Sequence, residues 1–186
     1  MKKLILLFIF IAFNSNAASM KMIGSKGDPN DVTRVIEVKM YDNYYEPSSI
    51  QVKKGETVKI IVKNLGELVH EYNIATKEMH IKHTTEMAKL IENDILLGDS
   101  IDHAKMKEMS KKDPSLGHKH ANSVMLEPNK TGEIIWKFSN DIALEMACNI
   151  PGHYETGMVG PITVSYTHLR AHETSLQLVC RLLLEK

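Results

Sequence analysis

The stretch Cys148-Asn-Ile-Pro-Gly-His153-Tyr-Glu-Thr-Gly-Met158 sets a thiol, an imidazole and a thioether on one loop, with four residues between successive members. Sulfur combined with imidazole is the donor set that selects copper, and a long axial thioether is typical of electron-transfer copper sites. Such a site takes a second imidazole from elsewhere in the chain. His70, in Glu67-Leu-Val-His70-Glu-Tyr-Asn-Ile74, is the candidate, at the start of a strand-like run. Taken singly, each residue has a plainer reading: a core-edge histidine, a packing methionine, a buried apolar cysteine. Taken together in one chain they point to a copper-binding loop.

These residues need strands to hold them. Arg34 to Tyr41 alternates, with Ile36, Val38 and Met40 on one face, and Tyr44 to Val52 is extended around Pro47. The turn Lys53-Lys54-Gly55-Glu56 leads into Thr57 to Asn64, with Val58, Ile60 and Val62 inward. Asn64-Leu65-Gly66 turns the chain into the run that carries His70. The pattern resumes at Ser123 to Leu126 and continues, after a turn over 127–132, through Glu133 to Phe138, with Trp136 in or near the core. Asp141 to Cys148 is the strand that delivers the loop, and a closing strand starts at Gly157 and runs to about Thr163. Short strands punctuated by Gly and Pro predict an all-β Greek-key sandwich or barrel over residues 33–164. A tight turn through Pro151-Gly152 would return His153 to the metal that Cys148 meets, and four more residues reach Met158.

Residues 75–121 break the β rhythm. Met87, Leu90, Ile91 and Ile95 recur at helical spacing with Gly98 as a stop, and a second short helix is expected from Ser100 to about Ser110. This is a helical insertion between two strands of the sandwich. His80, His83 and Met87 share one helical face; Asp102, His103, Met106 and Met109 form a similar group, and His118-Lys-His120 follows. These residue types tolerate copper, so an auxiliary binding or delivery patch is one reading; a solvated helix pair whose methionines pack on the sandwich is the plainer and favoured one.

Both ends stand apart from this pattern. Lys2 and Lys3, the apolar run Leu4 to Phe13, and the small-residue site Ser15-Asn16-Ala17 have the order of a secretory signal over 1–17, too short in its apolar part to span a bilayer. Residues 18–32 are small and polar and are expected to form a flexible leader, with Met20 and Met22 in it. At the other end, Val164-Ser-Tyr-Thr-His-Leu-Arg-Ala-His-Glu-Thr174 resembles the translation of a transposase-type sequencing adapter, and residues 165–186 are read as that artefact. Setting aside Cys180 leaves Cys148 as a lone thiol in an exported chain, hence reactive, paired between chains, or a metal ligand. A Cys148–Cys180 disulfide is the alternative if the tail is native. Without the two ends the charge balance becomes slightly acidic, about −3, with no long basic run, which argues against nucleic acid as a partner.

Glu145-Met-Ala-Cys148-Asn-Ile-Pro-Gly-His153-Tyr-Glu-Thr-Gly-Met158-Val-Gly160, with His70 upstream, resembles the cupredoxin (plastocyanin/azurin) family of type 1 blue copper proteins. Within it, the likeness is to the periplasmic cupredoxins associated with bacterial copper tolerance. By that resemblance His70, Cys148, His153 and Met158 bind one copper ion. The chain departs from the pattern twice: Glu71 stands where many plastocyanin-like members have an Asn bridging the two ligand loops, and Asn149 where Ser or Thr is common. Multicopper oxidases share the loop spacing but flank the cysteine with histidines, and copper nitrite reductases need two such domains and a histidine next to the cysteine. Here the neighbours are Ala147 and Asn149. The expectation is therefore a monomeric periplasmic protein that is not an enzyme, acting in one-electron transfer, copper tolerance or both. Its partner would be a redox or copper-handling protein, with no membrane association after signal cleavage. A non-redox copper chaperone working through the insertion is the alternative.

Overall fold

The computed structural model describes residues 22–166. Ten strands form two five-stranded sheets. β2 (Arg34–Tyr41), β5 (Thr57–Asn64) and β8 (Thr131–Lys137) make the centre of the first sheet, flanked by β1 (Ser25–Lys26) and β3 (Tyr44–Glu46), in the order β1-β8-β5-β2-β3. The second is built from β4 (Ile50–Lys53), β10 (Val159–Ser165), β9 (Leu144–Ala147), β6 (His70–Ala75) and β7 (Ser123–Leu126), side by side in that order. β2 with β5 and β4 with β10 are parallel, and the other pairs are antiparallel. The expected all-β Greek-key sandwich is the fold.

Alternation decides which face each strand buries. Val58, Ile60 and Val62 of β5 and Val38 and Met40 of β2 are fully buried, as the period-2 pattern requires, and they pack with Trp136, Phe138, Ile74 and Met146 in one core. The single extended segment expected around Pro47 is two strands. β3 pairs with β2 in one sheet and β4 with β10 in the other, so Pro47-Ser48-Ser49 carries the chain across the sandwich. Among the described residues no helix is long and apolar enough to cross a membrane.

The leader differs from expectation over residues 22–32. Ile23 is buried, its carbonyl accepts the indole N–H of Trp136 at 3.2 Å, and Ser25 and Lys26 pair with Lys137 and Trp136. A short strand covers the edge that β8 would otherwise leave unpaired, and Trp136 gains the polar partner that a buried indole needs. The expected signal segment over 1–17 lies outside the described residues. So does the tail beyond Tyr166; Ser165, its first residue, closes the parallel register with Lys53.

The insertion lies between β6 and β7, which are themselves antiparallel neighbours. Helix α1 (Lys77–Glu92) is capped by the Thr76 hydroxyl and ends at Asn93, followed by Asp94 in the left-handed region (φ 48°), one turn before the expected Gly98 stop. Helix α2 (His103–Met109) begins after Asp102, whose carboxylate accepts from the Lys105 N–H at 2.9 Å, rather than at Ser100. Met87 and Leu90 of the helix and Ile95 just beyond it join the core, while Ile91 of the expected stripe is exposed, so the packing face is narrower than the stripe.

Candidate metal centre

Register sets the position of Cys148. Asn73 pairs with Ala147 on one side and Val159 with Ala147 on the other, so the next residue of the central strand lies between β6 and β10. There the Cys148 N–H donates to the Met158 carbonyl at 3.1 Å, and the Glu71 N–H points at the Cys148 sulfur at 3.3 Å. The loop then folds back on itself. The His153 N–H donates to the Ile150 carbonyl at 2.9 Å and the Met158 N–H to the His153 carbonyl at 3.0 Å. Gly152 (φ 93°) and Gly157 (φ 102°) take the left-handed positions these two turns demand.

His70 opens β6. The turn before it is fixed by the buried Asn64 amide, which donates to the Leu68 and Leu126 carbonyls at 2.8 Å and accepts from the Gly66 N–H at 3.0 Å. The His70 Nε2 is 3.0 Å from the Asp42 carboxylate, contributed by the β2–β3 turn, which also accepts from the Glu67 N–H at 2.9 Å. Gly66 packs so closely here that a Cβ would lie 2.9 Å from His70 Nε2. With Nε2 donating to Asp42, Nδ1 is left as the acceptor nitrogen, and it is buried with no hydrogen-bond partner. A carboxylate behind an imidazole whose other nitrogen is unpartnered is the arrangement that orients histidine metal ligands.

His70, Cys148 and His153 present ligand atoms within 4.8 Å of one another, and the Cys148 sulfur is 3.4 Å from His153 Nδ1. One ion at about 2.0–2.3 Å from each atom can bridge such a separation. Burial lowers the pKa of both imidazoles, His153 being depressed further by its neighbour His70, so the rings are held in the neutral form that ligates. Burial also pushes the Cys148 thiol up to about 12, so a thiolate at this position requires a cation beside it. Met158, the expected axial ligand, is fully buried, and its backbone carbonyl accepts the Cys148 N–H. Three of the four residues expected to bind copper, His70, Cys148 and His153, thus converge with their ligand atoms, and the orphaned His70 nitrogen and buried thiol fit a soft or borderline metal.

Two further residues take roles that sequence reasoning did not assign. Asp42 sits in a turn with no signal of its own. Glu71, present as a departure from the usual Asn, does bridge the ligand loops: its carboxylate accepts from the Asn149 side-chain amide at 2.8 Å and the Asn149 N–H at 3.3 Å. Its other oxygen faces the insertion, with His118 Nε2 at 2.9 Å, His83 Nε2 at 3.0 Å and the Asn73 amide at 3.2 Å. Burial would raise the Glu71 pKa, but the hydrogen bonds and charge of His118 and His83 outweigh it and hold the group well below the ordinary carboxylate range.

The histidines and methionines of the insertion do not act as one patch. His80 is buried against the ligand loop, with Nδ1 3.0 Å from the Asn149 side-chain oxygen and Nε2 3.3 Å from the Glu145 carbonyl. Met87 is core, Met106 and Met109 pack against it from the edge, and His103 is largely exposed, 3.9 Å from Glu127. Among the described residues of the insertion, His83, His118 and His120 are the three that converge.

Comparison with known proteins agrees with the geometry. The description "Cupredoxin-like domain" matches residues 3–95. The chain is 39% identical over 169 residues to the copper-resistant cuproprotein CopI of Pseudomonas aeruginosa, spanning 86% of this chain and 93% of that protein. It is 30% identical over 142 residues to CopI of Rubrivivax gelatinosus, spanning 76% and 72%. Among solved structures, the reduced auracyanin of Roseiflexus castenholzii superposes with a TM-score of 0.52 at 20% identity, over 72% of this chain and 98% of that one. Auracyanin B does so with 0.54 at 16%, over 76% and 96%. The sandwich, the loop between β9 and β10 and the sequence relatives lead to one assignment: the chain belongs to the cupredoxin-like family.

Proposed function

We propose that this protein binds one copper ion as a type 1 site through His70, Cys148, His153 and Met158, and that it serves in periplasmic copper tolerance with one-electron transfer as its chemistry. The observation that carries the reading is the buried, unpartnered His70 Nδ1 in a cluster with the Cys148 sulfur and His153 Nδ1. The P. aeruginosa and R. gelatinosus relatives, both named as copper-resistant cuproproteins, support the role in tolerance. Copper bound there supplies a one-electron couple. The chain's part is to hold the donors still. Cys148 and His70 are fixed on paired strands, Asp42 sets the His70 ring, and the Glu71 N–H steadies the thiolate. His153, only half-buried where the other two are buried, is the side on which an electron would pass to a partner protein. No substrate is turned over in this reading, and the signal-like N-terminus accounts for export.

The test is the visible spectrum of the Cu(II)-loaded protein. An intense thiolate-to-copper band that disappears in Cys148→Ser supports the proposal. A colourless protein that binds Cu(I) mainly through the insertion would instead favour a non-redox chaperone, a reading to which the convergence of His83, His118 and His120 gives a specific basis.

A further inference from the structure

The three histidines of the insertion come from two separate pieces of chain. His83 projects from the second turn of α1, while His118 and His120 follow the single 3-10 turn Pro114–Gly117. His118 adopts the left-handed backbone region (φ 41°), which costs a residue with a Cβ and turns the chain back toward α1. Their ligand nitrogens lie within 4.8 Å of one another, and the ring centroids are 5.1–5.3 Å apart, with His120 edge-on to the other two. His83 Nε2 and His118 Nε2 are 3.3 Å apart and address the same Glu71 oxygen.

Neutralising Glu71 accounts for two of these rings but not for the third. For His120 the ion-pair contact is to the half-exposed Glu86, at 3.6 Å, beyond a good hydrogen bond. Glu86 sits 3.0 Å from His83 Nδ1, so an ion taken up here would replace the Nε2 proton that otherwise serves Glu71 while Nδ1–H donates to Glu86, the carboxylate–imidazole arrangement of metal sites. The His83 and His118 side chains are 11% and 5% exposed, and that of His120 is 35% exposed, so the group is shielded from below and open on one side. Imidazole nitrogens beside carboxylate oxygens suit a divalent first-row ion, with copper(II) bound most tightly in that series.

We propose that His83, His118 and His120 form a second metal site, distinct from the Cys148 loop, that takes a divalent transition ion and Cu(II) in preference to Zn(II). The buried Glu71 carboxylate supplies its negative charge, and Glu86 orients His83. The proposal does not depend on the first site being type 1, since the two share no ligand histidine.

Cu(II) titration of the purified protein, read by metal analysis after desalting and by electron paramagnetic resonance, tests it. Two ions are expected in the unchanged protein and one in Cys148→Ser, the latter with a nitrogen-ligated spectrum and no intense visible band. H83Q/H120A is expected to hold one ion and keep the visible band. His120→Ala alone, at the most exposed of the three positions, is expected to weaken the second ion by at least roughly tenfold with the circular dichroism spectrum unchanged. A tenfold excess of Zn(II) should leave the second Cu(II) signal in place. A single ion in the unchanged protein, or a second ion that persists undiminished in both histidine variants, overturns the proposal; displacement by Zn(II) overturns the stated preference for copper.

Discussion

Asp42 illustrates how much of a metal centre is decided by a side chain that never meets the metal. Its carboxylate takes His70 Nε2 and the backbone N–H groups of Glu67 and Leu68 in the turn before His70, at 2.9 and 3.3 Å. Removing it frees the ring to rotate and to exchange tautomers. Asp42→Ala is therefore expected to weaken copper binding by roughly 10–100-fold while leaving the fold intact, as measured by competition with a chromophoric chelator and by circular dichroism. Nothing in Tyr41-Asp42-Asn43-Tyr44 announces this role, because turn chemistry alone accounts for an Asp in a tight turn. The ligand loop was legible for the opposite reason: neither packing nor turn formation asks for three different donor types at fixed offsets, whereas a shared metal does. Burial adds a second expectation. Cys148 is fully buried and protonated when metal-free, so a thiol reagent should label it slowly in the native protein and at the free-thiol rate in denaturant.

At the scale of elements, most strands of the two sheets followed from alternation and the turns from Gly, Pro and Asn, since both signals are local, but the division of the Tyr44 to Val52 segment between the sheets did not. The leader did not. A run of small polar residues has no periodicity to read, and what orders it is the free edge of β8 and the Trp136 indole more than a hundred residues away. Ile23→Ala is expected to cost about 2–5 kcal/mol in urea unfolding and to shift the Trp136 emission, which a mobile leader would not do. Close packing constrains β10 in the same way. A Cβ on Gly160 would run into the Ser48 carbonyl and lie 2.6 Å from the Met146 methyl, so Gly160→Ala should destabilise the protein by about 1–3 kcal/mol in the same assay. The insertion was legible as helical but not in its chemistry. Spacing grouped His80 with His83 and Met87, whereas packing turned His80 to the ligand loop and Met87 to the core, and a distant turn supplied His83 with its neighbours.

At the scale of the molecule, Glu71 joins what the chain keeps apart. One carboxylate oxygen holds Asn149 beside Cys148, and the other holds His83 and His118 of the insertion, all around a fully buried group. Glu71→Ala is expected to lower stability by about 3–5 kcal/mol by thermal or urea unfolding, because two buried imidazoles lose their shared acceptor. The same arrangement limits how the domain can be cut down. β6 and β7 pair directly, with Asn73 opposite Ser123, so a short hairpin linker could geometrically replace everything between Ala75 and Ala121. Such an excision would strand a negative charge in the interior with no cation to answer it, and a minimal sandwich would have to exchange Glu71 for an uncharged amide at the same stroke.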